Sequence, residues 1–501
     1  MFTNYHLARI TLEAVTPLSI ATGINDGIFD ISLVRDVNGL PTLPGSAIAG
    51  VLRHLYWDLY GKQAAQVLFG YQKHYEFSPS RLHISWGYLQ DSTGQPVEGL
   101  LLGADNMRLT NDPILNAAMA SRDLPNHRDR VHISHRGSTY YQGKFNRAIL
   151  PAGNRFSVEI VLWSNKSQDP VWEQILELFQ HPLFRIGGST RGGLGRIKLV
   201  HAHTGQFDLQ SKEGRKAFSG LAPNIGSSVG LTKYKIVTLP KLQDRFITAK
   251  LKLIPHGFWR IGQGDNPQIK DDNGKEADVL PKLESRIVWY PNAHGGETAK
   301  IESIQLLVPT TALKGVLSHR VVFHANRHKQ CWAEDILDIK NSPKAICPEA
   351  QELFGSIQRL SNHRLESQNE ATAQNTGAIK TNHAGRVLFD DSFIKFTKDD
   401  LQLMTHNVID RFTGGVREHM LFMEELVWKK EIVLRCVIDT QGISDSACHA
   451  LHAALDDLCN GRLSLGTGAA QGHGFLSGII EWSDNGRWIG SHNNIGSSKA
   501  A

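Results

Sequence analysis

PGSAIAGVLRH, residues 44–54, returns as PTTALKGVLSH at residues 309–319, with six of eleven residues identical and no gap. Each segment is followed by a second matching landmark, AQVLFG at 65–70 and AQELFG at 350–355. Repeated landmarks in one order indicate repeated domains. Two further pairs keep this order, namely RLHIS (81–85) with RVLFD (386–390) and, more loosely, RVHISHRGS (130–138) with NVIDRFTGG (407–415). The repeat predicts two copies of one domain in a chain of 501 residues.

The domain layout follows from where the landmarks begin and end. We place the first domain at residues 1–205 and the second at 245–482. Residues 201–230 are polar and rich in glycine, which is typical of a linker, and we assign residues 206–244 to the linker. Within the second domain, a polar, aromatic-free stretch at about 356–385 is expected to be a surface insertion. Residues 483–501 are expected to form a disordered tail.

Each copy alternates strand and helix patterns. HLARITLEAV (6–15) and RFITAKLKLI (245–254) alternate apolar and polar residues as half-buried strands do. The helix after Pro44 has Ile48 and Leu52 on one face, and Ser46 is expected to be its N-cap. The pattern predicts an α+β fold class, as two tandem ferredoxin-like (RRM-like) domains with insertions. The sheet face without helices would then be available to RNA.

Composition is that of a folded soluble protein. The chain is 41% hydrophobic and 21% charged, with a formal net charge of +5, and has no apolar run long enough for a membrane span. Its five cysteines contain no CxxC pair, which favours a reducing compartment. The N-terminus resembles a strand and has no apolar signal region. We therefore expect a cytoplasmic protein with no membrane partner.

A second repeated feature is rich in glycine. LFRIGGSTRGGLGRIKLV (183–200) and LSLGTGAAQGHGFLSG (463–478) share the glycine spacing, but only the first carries four basic residues and no acid. Glycines let a backbone approach a phosphate closely, and arginines beside them add positive charge. The alternative is a tight loop that needs glycine for its backbone angles. The candidate RNA contacts are Gly187, Gly188, Arg191, Gly193 and Arg196, with Gly472 in the second copy.

These motifs together resemble those of a known family. A proline and small residues at a helix start, then LFG, then a terminal glycine-rich loop, all present twice, are similar to the RAMP superfamily of CRISPR effector subunits. Two fused copies resemble the tandem backbone subunits of type III (RNA-targeting) effector complexes. The resemblance implies guide RNA (crRNA), target RNA and other CRISPR effector subunits as partners.

The resemblance also implies RNA contacts outside the glycine segments. Residues 121–147 hold six basic residues, two acids and interleaved aromatics, and resemble the projecting thumb hairpin of the family, although a solvated loop is the alternative. The helix start is a phosphate site in principle, because a helix N-terminus attracts anions. The candidates are Arg130, Arg136 and Lys144 in the first thumb, Arg411 and Arg417 in the second, and Ser46, Arg53 and Lys314 near the helix starts.

In the family, a catalytic aspartate lies between the first strand and the helix start. The resemblance implies Asp30, with Asp26 second, in the first copy, and Asp278 in the second. Asp36 is expected to support a turn, and Asp265 is a rival of Asp278. Each of these carboxylates could instead be an ordinary surface group. The implied chemistry is endonucleolytic cleavage of RNA with Mg²⁺ or Mn²⁺.

A structural Zn²⁺ in the second domain is implied by some family members. Its candidate ligands are His328, Cys331 and Cys347, which have irregular spacing. Unrelated histidines and buried thiols are the alternative.

Two other functions remain open at the level of sequence. The chain could be a purely structural guide-binding backbone with inert aspartates, or a guide-processing endoribonuclease that uses one of its 23 histidines. A P-loop or Rossmann enzyme is disfavoured, because neither GxxxxGK[ST] nor a strand-linked GxGxxG is present.

Overall fold

The computed structural model describes residues 2–23, 31–73, 75–133, 139–236, 242, 244–262, 264–293, 295–331, 347–356 and 383–493, with backbone only at 140–142 and 492–493. Asp26, Asp30 and Arg136 therefore lie outside the described residues, as does most of the predicted insertion. Among the helices described, none has the length and apolar character needed to cross a membrane.

The first half of the chain forms a six-stranded antiparallel sheet packed against helices, together with two separate two-stranded hairpins. Its strands are β1 (Asn4–Ala14), β2 (Tyr71–Lys73), β3 (Glu76–Ser78), β4 (Leu82–Ile84), β5 (Tyr88–Leu89), β6 (His127–Ile133), β7 (Thr139–Ala148), β8 (Arg155–Ser164), β9 (Ile197–Asp208) and β10 (Thr232–Lys233). Its helices are α1 (Gly45–Tyr60), α2 (Lys62–Phe69), α3 (Met107–Asn111), α4 (Pro113–Ala120), α5 (Pro170–Leu178) and α6 (Lys212–Ser219).

The second half repeats this arrangement with additional short hairpins. Its strands are β11 (Phe246–Pro255), β12 (Phe258–Trp259), β13 (Leu283–Glu284), β14 (Ile287–Pro291), β15 (Glu297–Ile301), β16 (Gln305–Val308), β17 (Gly355–Ser356), β18 (His383–Ala384), β19 (Val387–Phe389), β20 (Ser392–Ile394), β21 (Leu401–His406), β22 (Phe422–Trp428), β23 (Ile432–Asp439), β24 (Asn460–Ser464) and β25 (Phe475–Trp482). Its helices are α7 (Thr310–His328), α8 (Pro348–Phe354), α9 (Asp445–Cys459) and α10 (Arg487–Asn493).

The strand orders of the two main sheets confirm that the halves share one fold. The central strands run β9-β1-β8-β4 in the first sheet and β25-β11-β23-β19 in the second, all antiparallel. With α1 and α5, or α7 and α9, this is the βαββαβ order of a ferredoxin-like domain. The segments RLHIS and RVLFD, matched by sequence alone, supply the equivalent strands β4 and β19.

Each domain has its own apolar core between sheet and helices. In α1, Ile48, Leu52 and Leu55 are buried against the first sheet, as the helical periodicity predicts. The N-cap prediction is wrong, because α1 begins at Gly45 after Pro44 and no side chain caps it. Ser46 lies inside the first turn with its side chain exposed, so its hydroxyl is not in the position of a cap.

The segment expected to be a linker packs against the first domain. Strand β9 continues to Asp208, and residues 209–234 cross the sheet face opposite the helices. On that face Arg9 donates hydrogen bonds to the backbone carbonyls of Ala222 (2.8 Å), Asn224 (2.8 Å) and Ser227 (2.9 Å). The face of the first sheet is therefore covered, which corrects the expectation that it is open to RNA.

The C-terminal region also differs from expectation. Residues 483–493 are described and include helix α10, whereas a disordered tail was predicted from residue 483. Ile489 is buried against the second domain, so an apolar contact orders this part of the chain.

Candidate nucleic-acid interface

Two β-hairpins carry large side chains that are not buried in either core. The first is β6–β7 and the second is β21–β22, at equivalent places in the two domains. Phe412, in the turn of the second hairpin, is 98% exposed. Val131 and Phe145 in the first hairpin are also exposed. Aromatic and apolar side chains held in solvent on a hairpin are suited to stacking against bases.

Basic residues of both hairpins are exposed, and Lys144 of the first hairpin has an acidic neighbour. Arg411 and Arg417 are exposed near the turn of the second hairpin. Lys144 in the first hairpin is exposed and lies 3.3 Å from the carboxylate of Asp129. An exposed pair of this kind is weak, so Lys144 can exchange its partner for a phosphate at little cost.

Asp278 lies at the base of the second hairpin. Its side chain is exposed, and its Oδ2 accepts a hydrogen bond from the backbone amide of Met423 at 2.8 Å. The next residue, Val279, accepts the amide of Glu425 at 2.9 Å. The strand thus holds the carboxylate beside the hairpin and directs it toward solvent.

A matching backbone contact in the first domain shows which residue corresponds to Asp278. There the carbonyl of Ile31 accepts the amide of Ala148, at 3.1 Å, in strand β7. Ile31 and Val279 are therefore equivalent, and the residue before Ile31 in the sequence is Asp30. The longer spacing from Asp278 to the helix start arises because hairpin β14–β15 is inserted there.

The other aspartates near these positions have simpler surroundings. Asp36 accepts the amides of Asn38 and Leu40, each at 2.9 Å, which confirms that it supports a turn. Asp265 is exposed.

The glycine-rich loop of the first domain is a tight turn that packs on the second domain. Gly187 has φ +91°, and a Cβ there would lie 2.6 Å from the carbonyl oxygen of Ser19, to which Gly188 donates its amide. Gly193 has φ +94°, and a Cβ there would collide with the side chain of Thr310 at the start of α7. These positions require glycine for steric reasons, irrespective of any ligand.

In the loop of the second domain, the counterpart of Gly193 is Gly472, which has no close neighbour among the described residues. Gly472 has φ +83°, and no atom lies within 4 Å of the place a Cβ would occupy. Its φ still favours glycine, but its surroundings are open.

The arginines of the first loop bind an aspartate of the second domain. Asp390 accepts hydrogen bonds from Arg185 (2.6 Å), Arg196 (2.7 Å) and Arg435 (2.8 Å). Burial alone would raise the pKa of Asp390, but the three guanidinium groups outweigh it and hold this pKa below its ordinary value. Two of the three loop arginines, Arg185 and Arg196, therefore have their acidic partner in the other domain.

A second junction lies beside it. Buried Arg128 donates to Glu284 (2.7 Å) and to Asp391 (2.6 Å), and Asp391 also accepts the amide of Thr310 at 2.8 Å. One carboxylate thus joins the first hairpin to the N-terminus of α7. That helix start, considered above as a phosphate site, already has a carboxylate at its first amide.

Sequence reasoning missed these acidic partners. Asp390 and Asp391 follow directly on strand β19 in RVLFDDS, and paired acids after an apolar strand were the available signal. Shared backbone contacts identify the corresponding residues of the first copy. The amide of Ser85 donates to the carbonyl of Glu159, as the amide of Asp390 donates to that of Arg435. Ser85 therefore corresponds to Asp390, and Glu159 to Arg435. The first copy therefore has no acidic residue at the position of Asp390.

Two further candidate RNA contacts are half-buried near the glycine loop. Arg130 donates to the hydroxyl of Ser189, and burial together with Arg128 and Arg147 lowers the pKa of Arg130 to about 10. Burial and the nearby Arg185 lower the pKa of Arg191 to about 10. Both guanidinium groups are short of negative partners where the structure describes their surroundings.

The remaining candidates lie on the first helix of each domain. Ser46 is exposed at the start of α1, and Arg53 is half-buried two turns later. Lys314 is half-buried in the first turns of α7.

The proposed zinc ligands do not form a cluster in the described part of the chain, where no three His, Cys, Asp or Glu side chains lie together as metal ligands. Cys347 is buried and donates to Glu349 at 3.3 Å, and burial raises the pKa of this thiol to about 11. His328 is exposed, and Cys331 is half-buried. A cysteine binds Zn²⁺ as its thiolate, and the described residues do not bring these three side chains together as ligands, so zinc binding stays a prediction.

Comparisons with known proteins agree with the duplicated architecture. The family model for the RAMP superfamily matches residues 11–198 and 306–477, one range in each domain. A chain of the cryo-EM structure of the Type III-B Cmr-beta bound to cognate target RNA is 15% identical, with a TM-score of 0.29. That match covers 40% of this chain and 61% of the other, so it spans less than two thirds of the relative. No curated protein matches the chain.

Proposed function

We propose, since the chain belongs to the RAMP superfamily, that it is a backbone subunit of a type III CRISPR effector complex that binds guide RNA and cleaves the paired target RNA. The proposal places one domain after the other along the RNA, with hairpin β6–β7 and hairpin β21–β22 projecting toward the bases. The family supports RNA binding by both domains, and the cleavage step is the finer part of the proposal.

One observation carries the cleavage step. Asp278 is exposed at the base of the second hairpin, and its neighbour Val279 makes the same backbone contact that Ile31 makes in the first domain. The chain therefore has an acidic residue at equivalent points of both copies, Asp278 and Asp30. The carboxylate of Asp278 is exposed, as a group that acts on a bound RNA strand must be.

The chain's own contribution to cleavage would be largely positional. Guide pairing would hold the target strand, and the exposed Phe412 would displace a nucleotide so that its 2′-hydroxyl could attack the adjacent phosphorus in line. The hydroxyl would lose its proton to solvent, and the bond from phosphorus to the 5′-oxygen of the next nucleotide would break. Asp278 has one oxygen fixed by the amide of Met423, and the other oxygen would face the scissile phosphate. Mg²⁺ or Mn²⁺ held by this carboxylate, waters and the RNA phosphate would offset charge on the phosphoryl oxygens.

The test is to map target cleavage in the assembled complex. Asp278→Asn and Asp30→Asn should each remove one cut while guide binding is retained, and the double variant should remove both. Asp272→Asn, an exposed aspartate on a neighbouring turn, is the matched control and should leave the cut pattern unchanged.

Other outcomes would select the alternative functions. An unchanged cut pattern in the double variant would identify a structural backbone without cleavage activity. Cleavage of repeat RNA by the isolated chain would identify a guide-processing endoribonuclease. Absence of RNA from the purified complex would refute the proposal as a whole.

A further inference from the structure

A groove of about 410 Å³ lies between the two domains, on the face of the second sheet that the helices do not cover. Strands β11 and β23 form part of its floor, where Lys250 and Arg435 are paired in register. The intervening residues of these strands, such as Leu251 and Leu434, point the other way into the core. The first domain completes the groove with Val15 and Thr16, just after β1, and with Arg196.

Positive charge exceeds negative charge along this groove. The side chains of Arg196 and Arg435 are 32% and 35% exposed, and both bind Asp390, which also neutralises the buried Arg185. One carboxylate therefore serves three guanidinium groups. Mutual repulsion of this kind favours a further anion in front of the exposed pair.

The second acid that lines the groove adds little negative charge to its open side. The Asp391 side chain is 0% exposed and is paired with Arg128. Two further cations, Lys250 and Arg286, line the groove. Lys250 is exposed, and the Nε of Arg286 is buried with no hydrogen-bond partner among the described residues.

The two domains differ in the charge of their sheet faces at the position of this groove. In the first sheet, the positions of Lys250 and Arg435 are held by Arg9 and Glu159, which bind each other at 3.0 Å. There the pair is neutral, and the face is covered by residues 209–234. In the second sheet the acid is replaced by a cation, and this part of the face is open.

The groove also offers an apolar surface beside the cations. The guanidinium group of Arg286 lies 5.5 Å from the ring centre of Phe393, and Val433 is 38% exposed. Cations with an aromatic platform match a phosphate joined to a sugar and base. An acidic protein segment would use the cations but would gain less from the aromatic ring.

We propose that this groove binds a phosphate and its attached nucleoside from an RNA strand, at the junction of the two domains. The proposal rests on the proposed function, because it names a second contact surface for RNA, away from the exposed ends of the hairpins. Lys250 and Arg286 contact the phosphate, and Phe393 lies beside the base.

The test uses the full chain and a fluorescein-labelled oligouridylate, with affinity measured by anisotropy over a range of salt concentrations. Lys250→Gln and Arg286→Gln leave the Asp390 junction intact, so the double variant should fold. We expect it to bind RNA about tenfold more weakly, with a salt slope lower by about 0.7 for each phosphate that the variant no longer neutralises. Lys275→Gln, an exposed lysine elsewhere in the second domain, should bind as the wild type does.

The outcomes separate this proposal from the proposed function. RNA binding by the wild type that is unchanged in the folded double variant would refute the groove alone. Failure of the wild type to bind RNA, in isolation and in the complex, would refute both. Displacement of RNA from the groove by polyglutamate at equal concentration, dependent on Lys250, would identify an acidic protein segment as its ligand and overturn the assignment to RNA.

Discussion

Replacement of Asp390 by Asn should loosen the junction between the two domains. The substitution preserves shape and one acceptor but removes the charge that faces Arg185, Arg196 and Arg435. The side chain of Arg185 is only 2% exposed, so its guanidinium group would be left buried without a counter-charge. Breaking a buried ion pair in this way costs about 3–5 kcal/mol.

The two exposed partners of Asp390 add little to this loss of stability. Pairs as accessible as those of Arg196 and Arg435 contribute about 0.2–1 kcal/mol each. We therefore expect Asp390→Asn to lower the free energy of unfolding by about 3–5 kcal/mol, mostly through Arg185. Urea unfolding followed by tryptophan fluorescence measures this change.

The control is Asp399→Asn, which alters an exposed aspartate in the turn before β21 and should change the free energy of unfolding by less than about 0.5 kcal/mol. If the two variants were equally stable, Asp390 would not hold the domains together and the reasoning would be refuted.

The same junction predicts a pH dependence. The pKa of Asp390 in the folded chain is held below its ordinary value of 3.8. Its contribution to stability is therefore complete above that value and is lost as the pH falls through it toward the folded pKa. The stability difference between wild type and Asp390→Asn should be constant above about pH 5 and shrink at lower pH. A difference that grew on acidification would contradict the assigned sign.

Three further predictions concern single side chains. Gly193→Ala should destabilise the chain by about 1–3 kcal/mol more than Gly472→Ala, as measured by urea unfolding. Both glycines have positive φ, but only Gly193 packs against the other domain. Equal losses of stability would contradict this. Phe412→Ala should leave stability unchanged and weaken target RNA binding by the complex by about 1–3 kcal/mol, which filter binding can measure; unaltered affinity would exclude stacking. Cys347, with a pKa of about 11, should react with iodoacetamide at pH 8 far more slowly than Cys331. Mass spectrometry follows both reactions. Similar rates in the folded chain would show that the Cys347 thiol is accessible.

Much of the architecture is predictable from local pattern. The repeat of PGSAIAGVLRH and AQVLFG places α1 with α7 and α2 with α8, because helix starts and apolar spacing are properties of short segments. The strand pairs RLHIS and RVLFD follow for the same reason. The predictions of an N-cap at Ser46 and of a disordered tail from residue 483 were wrong, because a cap depends on backbone angles and residues 483–493 are ordered by packing against α9.

The candidate site shows a different division. The equivalence of Asp30 and Asp278 could be proposed from a family pattern, but the spacing obscured it until the shared contacts of Ile31 and Val279 were seen. The packing of residues 209–234 on the first sheet could not be predicted from the sequence, because these residues are polar on average. Their few apolar residues and the hydrogen bonds from Arg9 show in the structure where they pack.

The sequence by itself determined that this protein has two copies of one α+β domain, because hydrophobic period and glycine spacing are encoded locally in each copy. Only the tertiary structure decided what the arginines of the first glycine-rich loop bind. Arg185 and Asp390 are separated by 205 positions in the chain, yet the packing of one domain on the other leaves 2.6 Å between their charged atoms. A charge without a neighbour in sequence finds its partner through the fold, since Coulomb attraction in a buried site depends on distance in space.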